Sequence, residues 1–243
     1  MSMRVKRALL LLLLPLALLG AALAGFLRLP PAWDPFAPLD LRAAPNPMSR
    51  FKLAQMKWQP ERCFAAFEAA GIPVRRVVDQ PSDEGCEVLD ALRLDFGPPL
   101  APAAPMATCA VGASWAIYVN AILQPAAREH LGQEVVRIRQ LGTYACRAVR
   151  GGPQGGIGSG IGDRTRRSQH ATANALDVAG FVLADGREVS LARDWDDPGP
   201  RGAFLHAARD GACRVFDAVL GPEYNALHRD HFHLDRGPWR ACR

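Results

Sequence analysis

The longest apolar stretch of the chain lies near its N-terminus, where residues 8–27 contain no charged side chain and are rich in Leu and Ala. Three basic residues, Arg4, Lys6 and Arg7, precede it. About 20 apolar residues can cross a bilayer as a helix, and a basic flank stays on the cytoplasmic side. The pattern therefore predicts a signal anchor or transmembrane segment over residues 1–28, with the following chain exported.

Cleavage of this segment is an alternative to its retention. The tripeptide Ala22-Leu23-Ala24 fits the small-residue site of a cleavable signal peptide. We favour an uncleaved anchor because the apolar run continues past this site to Leu27. A retained anchor predicts a protein held in the inner membrane with its domain in the periplasm. Cleavage instead predicts release into the periplasm.

Residues 29–47 form the next compositional segment and contain six prolines. Such a run resists helix formation and favours extended backbone, which predicts a semi-rigid stalk. Packing of Trp33, Phe36 and Leu39 on the domain or at the membrane interface is an alternative. A proline-rich ligand for another protein is a second. The domain itself is predicted over residues 48–243.

Beyond Met48 the hydrophobic periodicity alternates between helical and strand-like spacing. This mixture predicts an α+β fold, with a small antiparallel sheet packed against helices. The predicted helices are 60–71, 107–123 and 204–220. The predicted strands are 74–78, 135–141, its hairpin partner 144–149, 176–183, 188–192 and a final strand that carries His231 and His233.

Charge and glycine content exclude two classes of ligand. The formal charge is +5, from 29 basic and 24 acidic residues, but three basic residues belong to the N-terminal flank and leave 26 − 24 = +2. No basic block remains that would indicate nucleic-acid binding. Residues 151–162 include seven glycines but lack the spacing of a phosphate-binding or dinucleotide loop. We therefore expect neither a nucleic acid nor a nucleotide as partner, and interpret these glycines as a mobile loop.

The six cysteines all follow the apolar segment, and none forms a CxxC pair. An even number of cysteines in an exported domain predicts disulfide bonds, whereas a cytosolic location would leave buried thiols. Six cysteines permit 15 complete pairings, and the spacing does not select one. Proximity along the chain suggests Cys63–Cys86, Cys109–Cys146 and Cys213–Cys242.

Two short segments contain the residues with most chemical potential. The first, Ser168 to Asp177, includes His170, and the second contains His231 and His233. Residues two apart on a strand point to the same side, so both histidines of the second segment can reach one cavity. Zinc prefers imidazole nitrogen and carboxylate oxygen, and a catalytic site uses three such ligands. Either segment alone is weak evidence, because isolated surface histidines are common.

Taken together, the two segments resemble the zinc signature of the LAS metallopeptidases, which include lysostaphin-type enzymes, D-Ala-D-Ala peptidases and the hedgehog domain. Ala173 departs from the pattern, since D-Ala-D-Ala peptidases usually carry glycine there. Four motifs extend the likeness, namely Tyr144-x-Cys146-Arg147, Ser168-x-His170-Ala171-Thr172, Ala192-Arg193-Asp194-Trp195 and His228-Arg229-Asp230-His231-Phe232-His233. On these motifs the chain resembles, within this group, the bacterial extensin-like C-terminal domain family from about Cys63 to the C-terminus.

The resemblance implies a LAS/hedgehog-like fold and a Zn²⁺ cofactor bound by His170, Asp177 and His233. It places His231 beside the metal as the catalytic residue, because an imidazole can move protons near neutral pH. Arg147 is a candidate for binding a substrate carboxylate, or an ordinary ion-paired arginine. His228 and Asp230 are candidates for orienting the site, and Ser168 for bonding a ligand residue or capping a turn.

The leading hypothesis is a membrane-tethered periplasmic zinc peptidase, related to D-Ala-D-Ala peptidases and murein endopeptidases, that hydrolyses amide bonds in peptidoglycan peptides. One alternative is a zinc-containing envelope module that binds without turnover, since hedgehog domains show that the scaffold need not be catalytic. A disulfide-held domain without metal is another.

Overall fold

The computed structural model describes residues 3–23, 29–149 and 167–243 and divides the chain into two compact units, Met1–Ala37 and Pro38–Arg243. In the first unit, helix α1 covers Met3–Leu23 and contains Pro15. The described residues include no helix with both the length and the apolarity needed to cross a bilayer. The predicted glycine-rich loop at 151–162 lies outside the described residues.

The second unit contains the hydrophobic core and begins before Met48. Leu39 and Leu41, both within the predicted stalk, are buried in this core. Asn46 then starts the first helix of the unit, because its side chain accepts a hydrogen bond from the backbone N–H of Ser49 while the Ser49 hydroxyl accepts one from the backbone N–H of Asn46. This reciprocal cap satisfies two backbone donors of the first turn. Residues 38–47, which the sequence assigned to the stalk, therefore belong to the folded unit.

The helix predicted over residues 107–123 is present and is buried in the core. Every residue of Cys109–Tyr118 is buried, and a π-helical turn over Val119–Leu123 continues the helix. The prediction is confirmed except at its start, where Ala107 and Thr108 belong to a strand. The helices of the second unit are α2 (Pro47–Met56), α3 (Pro60–Ala69), α4 (Cys109–Tyr118), α5 (Gln124–Leu131), α6 (Leu191–Asp194) and α7 (Pro200–Ala212).

The strands form two sheets, so the α+β class is confirmed. The strands are β1 (Ala91–Arg93), β2 (Leu100–Ala101), β3 (Met106–Thr108), β4 (Val135–Gly142), β5 (Ala175–Leu183), β6 (Glu188–Ser190), β7 (Ala218–Leu220), β8 (Phe232–Asp235) and β9 (Ala241–Cys242). The larger sheet has seven strands in the order β2-β4-β5-β8-β7-β9, with β6 paired to β5. It is mixed rather than purely antiparallel, because the pairs β2–β4 and β7–β9 are parallel.

Three local predictions were wrong. The helix predicted over residues 204–220 ends at Ala212, and its last three residues form β7 instead. Residues 144–149 are not the hairpin partner of β4, which pairs with β5 and β2, and residues 74–78 form only an isolated bridge. In each case a short run matched the local spacing of a helix or a strand. Which segments form strands depends instead on pairing with segments distant in the sequence.

The disulfide bonds correct the proximity-based pairing. Cys213–Cys242 is confirmed, but the other two bonds are Cys63–Cys109 and Cys86–Cys146. The first of these joins α3 to the start of α4, two elements that pack together in the core. Tertiary packing, rather than separation along the chain, therefore sets these two pairs.

Candidate functional site

Three of the predicted site residues come from two adjacent strands and the turn before one of them. Asp177 on β5 lies directly opposite His233 on the antiparallel strand β8. His170 lies on a 3-10 turn over Gln169–Thr172, which the Ser168 hydroxyl caps by accepting a hydrogen bond from the His170 backbone N–H. Ala173 ends this turn with a φ of 52°. The left-handed residue reverses the chain and leads it into β5.

The side chains of these three residues converge on one point. Nε2 of His170 lies 3.1 Å from Oδ1 of Asp177 and 3.1 Å from Nδ1 of His233. The third distance, from Nδ1 of His233 to Oδ1 of Asp177, is 3.0 Å. The structure therefore brings together the three residues predicted as metal ligands. Two imidazole nitrogens and one carboxylate oxygen are a donor set that suits zinc, so these residues fit that ion.

Hydrogen bonds on the outer side of each ring fix which nitrogen faces this point. Nδ1 of His170 donates to the backbone carbonyl of Thr143 at 3.2 Å. Nε2 of His233 donates to Oδ2 of Asp235 at 3.0 Å. Each ring therefore turns its other nitrogen towards Asp177. Such outer hydrogen bonds set the tautomer and orientation of metal-binding histidines.

His231 precedes β8 and lies at the edge of the same cluster. Its Nδ1 is 2.8 Å from Oδ1 of Asp230, and its Nε2 is 3.8 Å from Oδ2 of Asp177. The Asp230 carboxylate accepts the Nδ1 proton, which leaves Nε2 as the proton-accepting atom on the side of the cluster. A carboxylate in this position can stabilise the imidazole ring when the ring takes up a proton at Nε2.

The ionised forms of Asp177 and His233 stabilise each other. Burial favours the protonated form of Asp177, but hydrogen bonds with His170 and His233 outweigh it and hold the pKa of this carboxyl well below its usual range. Burial favours the neutral form of His233, yet hydrogen bonds with Asp177 and Asp235 raise its pKa to about 9. A metal ligand must be deprotonated, so a cation and the additional proton of His233 compete for this position.

A cavity of about 420 Å³ opens over the cluster. Arg147 lines it and is half-buried, with Nη1 donating to the backbone carbonyl of Ala148 at 3.3 Å. The candidate substrate-binding arginine therefore belongs to the same cavity as the three clustered residues. Exposed apolar side chains from the region before β8 and the loop after it line the cavity as well, namely Tyr224, Leu227 and Trp239.

Two other histidines and two residues of the Ala192-to-Trp195 motif lie away from this cavity. His206 on α7 stacks on Trp195, with ring centroids 4.0 Å apart, and His130 lies on α5. Asp194 accepts hydrogen bonds from the backbone N–H of Ser190 and from two arginine side chains. The positions of these residues are consistent with structural roles.

Several residues at the site were missed by sequence reasoning. Asp235 had a visible signal, because it follows His233 by two residues on a predicted strand and so points to the same side. Asn225 and Thr143 had no such signal in the sequence. Asn225 accepts a hydrogen bond from His228 within a local turn, and Thr143 acts through its backbone carbonyl.

Comparison with known proteins complements this geometry. A family model described as the extensin-like protein C-terminus matches residues 61–243. No curated protein and no solved structure showed significant similarity to the chain. The match covers most of the chain and includes all the residues of the cluster. The chain thus belongs to the extensin-like C-terminal family.

Proposed function

We propose that this protein is a membrane-tethered periplasmic zinc peptidase that hydrolyses amide bonds in peptidoglycan peptides. The observation that carries the proposal is the convergence of His170, Asp177 and His233 beside a histidine with an accessible proton-accepting nitrogen. The resemblance of these segments to the LAS zinc signature supports the same reading. The apolar N-terminal segment and the disulfide bonds support export to the periplasm.

His170, Asp177 and His233 would hold the zinc ion through Nε2, a carboxylate oxygen and Nδ1. A bound zinc supplies a Lewis acid that polarises a carbonyl and lowers the pKa of water to about 7. Thr143 and Asp235 keep the two ligand rings in their binding tautomers. The protein thus prepares the ligand atoms in advance, which reduces the reorganisation that binding requires.

His231 is proposed as the residue that moves protons. Its Nε2 can take a proton from the attacking water and return it to the leaving amine, while Asp230 stabilises the charged ring through Nδ1. On the wall of the cavity, the guanidinium of Arg147 can bind a carboxylate of the substrate through two parallel hydrogen bonds. Both roles use groups that line one cavity.

Zinc content is the first test. Elemental analysis of the purified protein should give about one zinc per chain, the number that a single three-ligand site can hold. His233→Ala should lose this zinc. Absence of zinc from the native protein after reconstitution would remove the peptidase proposal.

Hydrolysis is the second test. The native protein should release fragments from muropeptides, and His231→Ala should abolish this release while retaining zinc. Loss of both zinc and activity in His231→Ala would make His231 a ligand instead. Unchanged activity would exclude His231 from the mechanism.

An envelope-binding module without turnover is the second candidate function. It is favoured by the exposed Tyr224, Leu227 and Trp239 on the cavity wall, because exposed apolar side chains grouped at one place often mark a binding surface. One assay with intact sacculi distinguishes the two candidate functions. Binding without release of soluble fragments supports the module, whereas release supports the enzyme.

A further inference from the structure

A fourth histidine, His228, lines the cavity without belonging to the cluster of possible metal ligands. It is the last residue of a short 3-10 turn over Ala226–His228. Its ring lies next to that of His231, with centroids 5.3 Å apart, and next to that of Tyr224, also at 5.3 Å. His228 is therefore placed between the proposed general base and an exposed aromatic side chain.

The hydrogen bonds around Asn225 define the protonation of this ring. Oδ1 of Asn225 accepts the backbone N–H of Leu227 at 3.0 Å. A backbone N–H can only donate, so this contact identifies the amide oxygen of Asn225 unambiguously. The same oxygen lies 2.8 Å from Nδ1 of His228. Nδ1 must therefore carry the hydrogen, and Nε2 of the neutral ring carries a lone pair.

The Nε2 of His228 is placed differently from the ring nitrogens of the neighbouring histidines. His170 and His233 each turn one nitrogen towards Asp177, and the Nε2 of His231 lies 3.8 Å from the same residue. In the part of the chain that the structure describes, Nε2 of His228 has no hydrogen-bond partner from the protein. A hydrogen-bond acceptor of fixed tautomer is thus presented beside the cavity.

We propose that His228 is a specificity-determining residue, whose Nε2 accepts a hydrogen bond from an amide N–H of the substrate next to the bond that is cleaved. This inference rests on the proposed function for the identity of the substrate. A donor is required because a lone pair would repel a carbonyl or ester oxygen at the same position. In a peptide substrate, the groups that can donate a hydrogen bond beside the scissile bond are backbone amide N–H groups.

The tautomer can be measured without any assay of activity. In the full-length protein with ¹⁵N-labelled histidine, the His228 side chain should show the Nδ1–H pattern. Asn225→Asp keeps an acceptor oxygen and should preserve this pattern, whereas Asn225→Leu removes the acceptor and should shift the ring towards Nε2–H. An Nε2–H tautomer in the native protein would overturn the inference.

Substrate contact is tested by matched variants of the full-length protein. His228→Phe keeps a flat ring but loses the acceptor, and should raise KM for muropeptides about tenfold, the scale of one hydrogen bond, with kcat changed less than twofold. His228→Gln offers an amide oxygen and should recover part of this loss. His130→Phe, on the distant helix α5, is the control and should leave both constants unchanged.

The substrate side of the same contact is tested by N-methylation. A muropeptide methylated at the amide nitrogen beside the scissile bond should bind the native protein about tenfold more weakly, and should be bound equally by the native protein and His228→Phe. Parallel assays with free stem peptides and with disaccharide-peptides distinguish a peptide N–H from the acetamido N–H of a sugar. Additive effects of the two changes would overturn the proposed contact.

Failure of the proposed function gives a different result from failure of this inference. If muropeptides shift the ¹⁵N resonance of His228 Nε2 but are not hydrolysed, the contact stands and the peptidase proposal fails. If they are hydrolysed with no shift and no change of KM in His228→Phe, the contact fails alone. If they neither bind nor react, both are overturned.

Discussion

Nε2 of His233 lies 3.0 Å from Oδ2 of Asp235, two residues further along the same strand. Both side chains are largely buried, and the backbone N–H of Gly237 donates to the other carboxylate oxygen at 2.8 Å. A strand places residues two apart on one side, so β8 supplies both the proposed ligand and the group that orients it. Asp235 therefore accepts a hydrogen bond from the outer ring nitrogen of His233, as the Thr143 carbonyl does from His170.

This relationship predicts how zinc affinity responds to Asp235. Asp235→Ala should weaken zinc binding by about 10- to 100-fold, because His233 loses its tautomer partner. Asp235→Asn retains an oxygen acceptor and should therefore lose less zinc affinity than Asp235→Ala. Competition with a chromophoric chelator measures both affinities. Equal affinities in Asp235→Ala and the native protein would show that the hydrogen bond does not orient the ligand.

Removal of the metal should lower the free energy of unfolding by an amount that rises with the logarithm of the ratio of free zinc to its Kd. A ligand at about 100 times its Kd stabilises the folded state by about 2.7 kcal/mol, and chelation should remove that contribution. Thermal unfolding with zinc and after chelation measures the change. His233→Ala should unfold at the same temperature under both conditions, whereas a zinc-dependent Tm in this variant would place the ion elsewhere.

Asp194 provides a prediction of pH dependence away from the proposed metal site. Burial of the carboxylate favours its protonated form, but hydrogen bonds from Arg193, the Ser190 backbone and Arg201 lower its pKa. A lowered pKa stabilises the folded state above the unfolded-state pKa of about 4. This stabilisation is lost as the pH falls through the lower, folded-state value.

Asp194→Asn should therefore destabilise the protein by about 1–3 kcal/mol at pH 7, and the difference should shrink below about pH 4. Urea unfolding at several pH values measures it. Asp185→Asn is the control, because that carboxylate lies on an exposed turn next to Arg187, and it should have a smaller effect at neutral pH. A difference for Asp194→Asn that stays constant down to pH 3 would contradict the assigned role.

The Cys86–Cys146 bond should affect the site as well as stability. Cys146 adjoins Arg147 and lies on the segment whose Thr143 carbonyl holds His170. Replacing both cysteines by serine should lower the free energy of unfolding by about 2–4 kcal/mol and should also weaken zinc binding. The Cys63–Cys109 bond, between α3 and α4, gives the matched control, with a loss of stability but unchanged zinc affinity in the folded protein.

Local sequence patterns predicted the strands β4 and β5 better than the region around β7. Hydrophobic patterns identified β4 and most of β5. The prediction that the final strand carries both His231 and His233 is wrong, because β8 carries only His233, His231 precedes that strand, and β9 is the final strand. The helix predicted through Leu220 was wrong because Val215, Phe216 and Val219 satisfy a helical spacing yet are buried in a turn and a strand. Pairing of β7 with β8 and β9 is a long-range contact with no local signature.

The clustering of the predicted ligands could be anticipated, but their protonation could not. His170 depends on a backbone carbonyl 27 residues away, and His228 depends on an amide oxygen fixed by a turn. Neither partner has a chemically distinctive side chain at a recognisable spacing. Tautomers are set by such hydrogen bonds, so this part of the chemistry becomes visible only in the folded chain.

Ala173 ends the turn that carries His170 in a backbone conformation that few residues other than glycine adopt. Its φ of 52° favours glycine, but its methyl group is fully buried against Val88 and Ala91. Left-handed backbone costs about 1–2 kcal/mol, which burial of one methyl group, at about 0.8 kcal/mol, partly offsets. The remaining cost is at most about 1 kcal/mol, so the turn that carries His170 keeps its left-handed end although a side chain occupies that position.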